Sequence, residues 1–214
     1  MIPSRDPGLA GRVLLAERDA LLPLLERTEP AGFDRPTVCT GWSVRDVLAH
    51  CGSVLGRAAN GRLGDFSPTQ NEVDVSARRG WPLDQVIAEL SAGYEPAAEA
   101  ITAAAGRLDG VALGEWVHGG DVRDALGEPW AYGSEGAEDA VVLLAERSRA
   151  ASARLLRARV SGRDLTLGVA ADGRPAATLT TDLPTLVRLY AGRRPDPSRY
   201  RLDGANPDEL VLFS

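Results

Sequence analysis

The chain of 214 residues carries a net charge of −6 and a sequence pI near 5.0, and 44% of its residues are hydrophobic. That is enough apolar material for the core of one medium domain, or of a larger domain with a small appendage. The acidic balance argues against nucleic acid as a partner, because a surface that collects phosphates must be basic.

All 24 basic side chains are arginine. With abundant Ala and Gly this reads as a coding bias rather than functional design. Two cysteines, Cys39 and Cys51, with no CxxC pair, do not make a disulfide framework and suit a reduced cytoplasmic protein. The start, Met1 to Pro7, lacks the apolar run of a signal peptide, and no stretch approaches the length of a membrane span. A cytoplasmic protein without a membrane partner is the expectation.

In chain order, Leu9 to Arg27 shows helical spacing in Val13, Leu14, Leu21, Leu24 and Leu25, with Pro23 expected to kink or split it. Pro30 and Gly32 to Pro36 read as a loop. The next helix runs from Ser43 to about Arg57. Ser43 is its N-cap, Asp46 completes a capping box, and Val44, Val47 and Leu48 form the apolar stripe. His50 borders that stripe. On its own it has two readings: a histidine satisfied by hydrogen bonds at the core edge, or a metal ligand.

Asn60 to Thr69 is rich in turn-forming residues and reads as a connection, and Asn71 to Gly80 as a short helix. Pro82 to Arg107 is a long helix with Val86, Ile87, Leu90, Ala97 and Ile101 inward, weakened by Gly93 and Pro96. A helix bearing Glu115 and His118 stops at Gly127, with Pro129 just beyond. Gly136 to Arg159 is read as one further helix burying Val141, Val142, Leu144, Ala145 and Leu155.

The character then changes. Asp164 to Val169 and Ala177 to Thr180 alternate like strands around an Asp172-Gly173 turn, a hairpin signal. Thr181-Asp182-Leu183-Pro184 opens a helix that Gly192 closes, and Tyr200 to Leu202 and Leu210 to Phe213 read as closing strands. The expected fold is mostly α with a small α+β appendage: a helical bundle over 1–158 and an α+β module over 159–214.

The chemistry concentrates on the only two histidines. Glu115, His118 and Asp121 stand three apart on one helix, so they share a face, and Glu-x-x-His aimed into a bundle can give one metal ion a carboxylate and an imidazole. Other chemistries lack their motifs: there is no G-x-S-x-G elbow, no G-x-G-x-x-G and no Walker loop. A cysteine nucleophile with His50 as base is disfavoured, because Cys51 adjoins His50 and neighbouring helical residues point about 100° apart. Trp42, Trp81, Trp116 and Trp130 read as core or pocket packing.

Thr37 to His50, with its C-x-G-W-x-V-R-D-V-x-x-H run, resembles the corresponding segment of the mycothiol-dependent maleylpyruvate isomerase family, within the DinB-like superfamily. Trp116 to Arg123 is similar to that family's V-H-x-x-D-[IV]-R segment, and the Asp182 to Arg193 helix to a sterol-carrier-like appendage. The resemblance implies a DinB-like four-helix bundle holding zinc or another divalent metal between two histidines and a carboxylate, with the thiol mycothiol as cosubstrate.

Carried onto this chain, the ligands are His50, Glu115 and His118. The family's carboxylate stands four residues before the second histidine; that position here is Gly114, and Glu115 is one residue closer. Asp121 is a fallback ligand or an acceptor for a histidine N–H. Asp121 and Arg123 are the candidate catalytic groups. Asn71 and Arg79 are candidate thiol-binding residues, and Arg78, Arg79 or Arg123 could grip a carboxylate. The implied function is a zinc-dependent thiol transferase or isomerase acting on a small electrophile, as a monomer or homodimer. The alternative is a bundle without catalysis that binds metal or another ligand. On this reading Glu115→Ala lowers metal occupancy more than Asp121→Ala does.

Overall fold

The computed structural model describes residues 6–62, 64, 66–170 and 173–213. Within them lie α1 (Leu9–Glu26), α2 (Val44–Ala59), α3 (Pro68–Ser76), α4 (Leu83–Ala103), α5 (Asp109–Leu126), α6 (Ala137–Ala150) and α7 (Leu183–Tyr190). The strands are β1 (Leu156–Val160), β2 (Arg163–Leu167), β3 (Ala177–Thr181) and β4 (Tyr200–Asp203). No described helix is long and apolar enough to cross a membrane. The chain divides into two compact units, Met1–Asp139 and Ala140–Ser214. The boundary expected after residue 158 would instead cut β1 in two.

In the first unit α1, α2, α4 and α5 form the four-helix bundle, each packed on two or more of the others. Helix α1 runs through Pro23, which falls in its last turn; the missing N–H costs one bond to the Asp19 carbonyl, and any bend is confined to the helix end. Helix α2 begins as its sequence dictates: the Ser43 hydroxyl accepts from the Asp46 N–H, and the Asp46 carboxylate accepts from the Ser43 N–H. The backbones of α2 and α4 approach closely at glycine. A Cβ on Gly93 would stand 2.8 Å from Leu55 Cβ, so Gly93, which weakens a helix in isolation, is required by packing. Helix α5 closes on Gly127 in the left-handed conformation (φ 84°), whose N–H reaches back to the carbonyls of the last turn.

A buried ion pair fixes α5 against α1. Arg123 donates from both terminal nitrogens to the two oxygens of Glu17 (2.8 and 2.9 Å) and from Nε to the Ala131 carbonyl, with Glu17 fully buried. Gly119, one turn before Arg123, leaves the space in which the Glu17 carboxylate sits, and a Cβ there would collide with it. Gly119→Ala is therefore expected to destabilise the protein by about 1–3 kcal/mol or more, read as a lower urea midpoint at unchanged slope. An unchanged midpoint would mean that Glu17 is free to move.

The second unit departs from its sequence reading. The run expected to continue α6 to residue 159 becomes β1, in which Leu156, Ala158 and Val160 are buried and Arg157 and Arg159 exposed. That alternation of period two lies within an Ala- and Arg-rich stretch that scores as helix. Val142, expected inward on α6, is exposed. The expected hairpin between the second and third strands is replaced by a sheet of order β2-β1-β3-β4. Here β1 pairs antiparallel with β2 and parallel with β3. The tight turn is Ser161-Gly162, both with positive φ (47° and 84°), as a two-residue hairpin requires. Asp172 of the expected turn lies outside the described residues. Helix α7 starts as read, Asp182 accepting from the Thr185 N–H. The strand expected at 210–213 is absent among the described residues: Pro207–Leu210 is a 3₁₀ turn, and Leu212 donates to the Tyr190 carbonyl.

Candidate metal centre

The site is built from α5, α2 and the turn that leads into α2. That turn is set by local chemistry. Trp42 N–H donates to the Cys39 carbonyl (2.9 Å), Gly41 supplies the positive φ of 80°, and the Thr37 hydroxyl bonds at both ends of the turn. It projects the Cys39 thiol toward α5 and lays the Trp42 ring 5.1 Å from the ring of His50 on α2. His50 in turn meets His118 edge-to-face, with ring centroids 5.1 Å apart. The chain's two histidines, 68 positions apart in sequence, are thus brought together.

Around His118 the polar groups are ordered. Its Nδ1 lies 3.1 Å from Asp121 Oδ2, and the Cys39 Sγ lies 3.2 Å from the same oxygen and 3.8 Å from Nδ1. The Tyr132 hydroxyl donates to Asp121 Oδ1 at 2.5 Å. Asp121 Oδ2 accepts from Nδ1 in the tautomer that carries the proton there, and that tautomer leaves the Nε2 lone pair of His118 free to donate. Asp121 and Tyr132 are completely buried, whereas His118 is part-exposed. Donor atoms of Cys39, His118 and Asp121 all lie within 4.8 Å of one another.

His50 is 5% exposed, and its Nδ1 has no hydrogen-bond partner among the described residues. Burial, then the charges of His118 and Arg57, lowers its pKa to about 3, so the ring is neutral and its lone pair available at physiological pH. An orphaned buried imidazole beside an imidazole, a thiol and a carboxylate is a donor set of N, S and O type that fits a borderline divalent ion such as zinc.

Glu115 meets Cys51. It is 3% exposed and shares a hydrogen bond with the Cys51 thiol. Burial pushes its pKa up to about 8, offset in part by Cys51 and reinforced by Glu17, which favours the neutral carboxyl, and its buried Oε2 has no hydrogen-bond partner among the described residues. Burial likewise holds the Cys51 thiol well above its ordinary value, which makes it inert.

Arg123, expected as a catalytic group, is held by Glu17 and the Ala131 carbonyl, and no fork of its guanidinium is open to a substrate. Arg78 is also engaged, bidentate on Glu89 and stacked on Trp81. Arg79 is different. It is half-exposed, pairs with Glu72 (2.8 Å), and Glu72 accepts from Trp42 Nε1 (3.2 Å), so one carboxylate links the guanidinium to the Trp42 indole. Asn71 lies on the same helix, α3, where its Nδ2 donates to the Phe66 carbonyl and its buried Oδ1 has no partner. The residues that the sequence reading did not place in the site are Cys39 and Tyr132. The C-x-G-W turn was the available signal for the first; nothing local marks the second.

Residues 14–131 match the sequence model of the mycothiol maleylpyruvate isomerase N-terminal domain. Among solved structures the chain is similar to the mycothiol-dependent maleylpyruvate isomerase, with 14% identity, TM-score 0.60 and 95% of each chain covered. It is similar also to a histidine-to-alanine mutant described under the same name, with 13% identity, TM-score 0.59 and the same coverage. At such identity these two likenesses bear on the fold. The comparison with curated proteins gives no match.

Proposed function

Because the chain belongs to the mycothiol maleylpyruvate isomerase N-terminal domain family, we propose that it is a divalent-metal-dependent thiol transferase or isomerase, with mycothiol as cosubstrate and zinc as the favoured ion. The observation that carries this reading is the convergence of His50, neutral and with an unpartnered buried nitrogen, on the Cys39, His118 and Asp121 cluster. His50 and His118 would hold the ion. A divalent ion there lowers the pKa of a thiol that reaches it, so that the thiolate nucleophile exists at neutral pH.

The protein's own groups do the rest. Asp121, fixed by Tyr132, holds the Nδ1 proton of His118 and with it the orientation of the ring. Trp42 covers one side of His50 and limits water. Arg79, held by Glu72, offers its outer face to a carboxylate of the thiol or of the electrophile. Thiolate addition to an electrophilic carbon of a conjugated double bond moves the π pair onto the conjugated carbonyl as an enolate and leaves a single bond that can rotate. Collapse of the enolate with expulsion of the thiolate restores the double bond, and protonation of the enolate from solvent with the sulfur retained instead gives transfer.

A second reading, a bundle that binds metal without catalysis, is favoured by the absence of a carboxylate four residues before His118, where Gly114 stands. Two measurements separate them: zinc stoichiometry, and consumption of small electrophiles, maleylpyruvate among them, with and without mycothiol. We expect about one ion per chain, thiol-dependent turnover, loss of the ion in His118→Ala, and a fall of about 10- to 100-fold in affinity or activity in Asp121→Asn. Metal binding without turnover for any thiol and electrophile pair would establish the second reading. Absence of metal binding would remove both.

A further inference from the structure

We propose that the Cys39 thiolate is the third protein donor of this centre, in the place a carboxylate of α5 would take, with Asp121 acting behind His118. The inference rests on the metal reading above and goes beyond it in naming a sulfur ligand from a different element.

Three placements support it. First, the position of α5 four residues before His118 carries no carboxylate. Position 114 is glycine, and Glu115, the residue nearest to it, is buried, neutral and bonded to Cys51. Second, the Cys39 Sγ lies 3.8 Å from the ring of His118 and 3.2 Å from Asp121, and the residue is part-exposed, so an ion and a second thiol can reach it. Third, His50 is 95% buried by its 5% exposure, has an orphaned Nδ1, and is seated by Trp42 from the same Cys39 to Trp42 turn. One turn therefore delivers the sulfur and positions the imidazole. Asp121 is a less suitable third donor, because its two oxygens already accept from His118, Cys39 and Tyr132.

The chemistry is balanced without a co-reactant. On loading, the S–H proton passes to solvent and the sulfur lone pair replaces one water of the hydrated ion. Thiolate and carboxylate each bring one negative charge, so the charge of the centre matches that of a two-histidine, one-carboxylate set. The softer sulfur shifts preference toward zinc and cobalt and away from magnesium and manganese. The centre keeps an open position for an incoming thiol.

The test is cobalt(II) titration of the full-length chain, reduced and freed of metal by chelation. The expected result is about one cobalt per chain with a near-ultraviolet thiolate-to-cobalt charge-transfer band. Cys39→Ser should abolish the band and weaken binding by at least the roughly 10- to 100-fold that loss of an outer partner costs. Cys39→Asp should restore binding without the band. Glu115→Gln should keep both, as should Cys51→Ala. Cobalt bound by the unsubstituted protein without the band, or an ion lost in Glu115→Gln and kept in Cys39→Ser, overturns the sulfur ligand and leaves the metal reading standing. No cobalt bound by the unsubstituted protein overturns the metal reading itself, and this inference with it.

Discussion

Arg123→Ala is expected to destabilise the protein by about 3–5 kcal/mol, because it leaves the Glu17 carboxylate charged and without its partner inside the bundle. Burial raises the pKa of Glu17 and the adjacent guanidinium lowers it, so removing Arg123 leaves the burial that penalises charge unopposed. Part of the loss is then relieved by protonation of Glu17. The companion experiment is Glu17→Leu with Arg123→Met. Replacing a buried pair by apolar residues of similar volume is often neutral or stabilising, so the double variant should recover most of what Arg123→Ala loses. Urea unfolding of the three proteins, freed of metal, measures this. The outcome that favours the sequence expectation of a catalytic Arg123 is also defined: stability close to unsubstituted protein in Arg123→Ala, with a selective fall in kcat.

This pair shows where sequence reading stops. The helices of the bundle were legible, because each carries its own cap and its own stripe: Ser43 and Asp46 open α2, and Gly127 closes α5. The partner of Arg123 was not. Glu17 lies 106 residues away, and the glycine that makes room for it, Gly119, looks in sequence like a weak point of a helix. The sheet was legible in part. The alternation of β2 and β3 is visible in sequence, but β1 is hidden in a helix-favouring composition. Without β1 the sequence suggests a β2–β3 hairpin, whereas both strands pair with β1.

The site divides in the same way. His50 and His118 were singled out by scarcity and by their helical setting, and the fold brings their rings to 5.1 Å. The choice of third donor depended on which way a side chain leaves its helix. Glu115 and His118 share a face at a spacing of three, but that face is wide enough for Glu115 to turn to Cys51 while His118 turns to Cys39. Helical periodicity resolves a face and does not resolve the two directions within it. Cys39 lies on a turn, outside any periodic pattern, and its approach to α5 is a long-range contact.

The burial of His50 and Glu115 should be readable as the pH dependence of stability in the metal-free protein. In the folded chain His50 stays neutral down to about 3, while unfolded it takes up a proton near 6.5. Between those values the unfolded state binds the extra proton, so stability falls as pH falls from 6.5 toward 3. Glu115 has the opposite sign. Folded, it keeps its proton up to about 8, while unfolded it releases it near 4.5, so stability falls as pH rises from 4.5 toward 8. Each effect, integrated over its window, is on the order of 5 kcal/mol. Their sum is a flat maximum between 4.5 and 6.5 with a falling limb on either side. Glu17, whose pKa burial also raises, adds to the alkaline limb, so differences between variants carry the test rather than the whole curve. Glu115→Gln should remove much of the alkaline limb, making the variant more stable relative to the unsubstituted protein at pH 8 than at pH 4.5. His50→Gln should flatten the acid limb and leave the alkaline one in place. Urea midpoints at pH 4, 5.5 and 8 in the presence of chelator decide it. A Glu115→Gln difference that is the same at every pH would mean that Glu115 is ionised in the folded protein, which would return it to the list of candidate ligands.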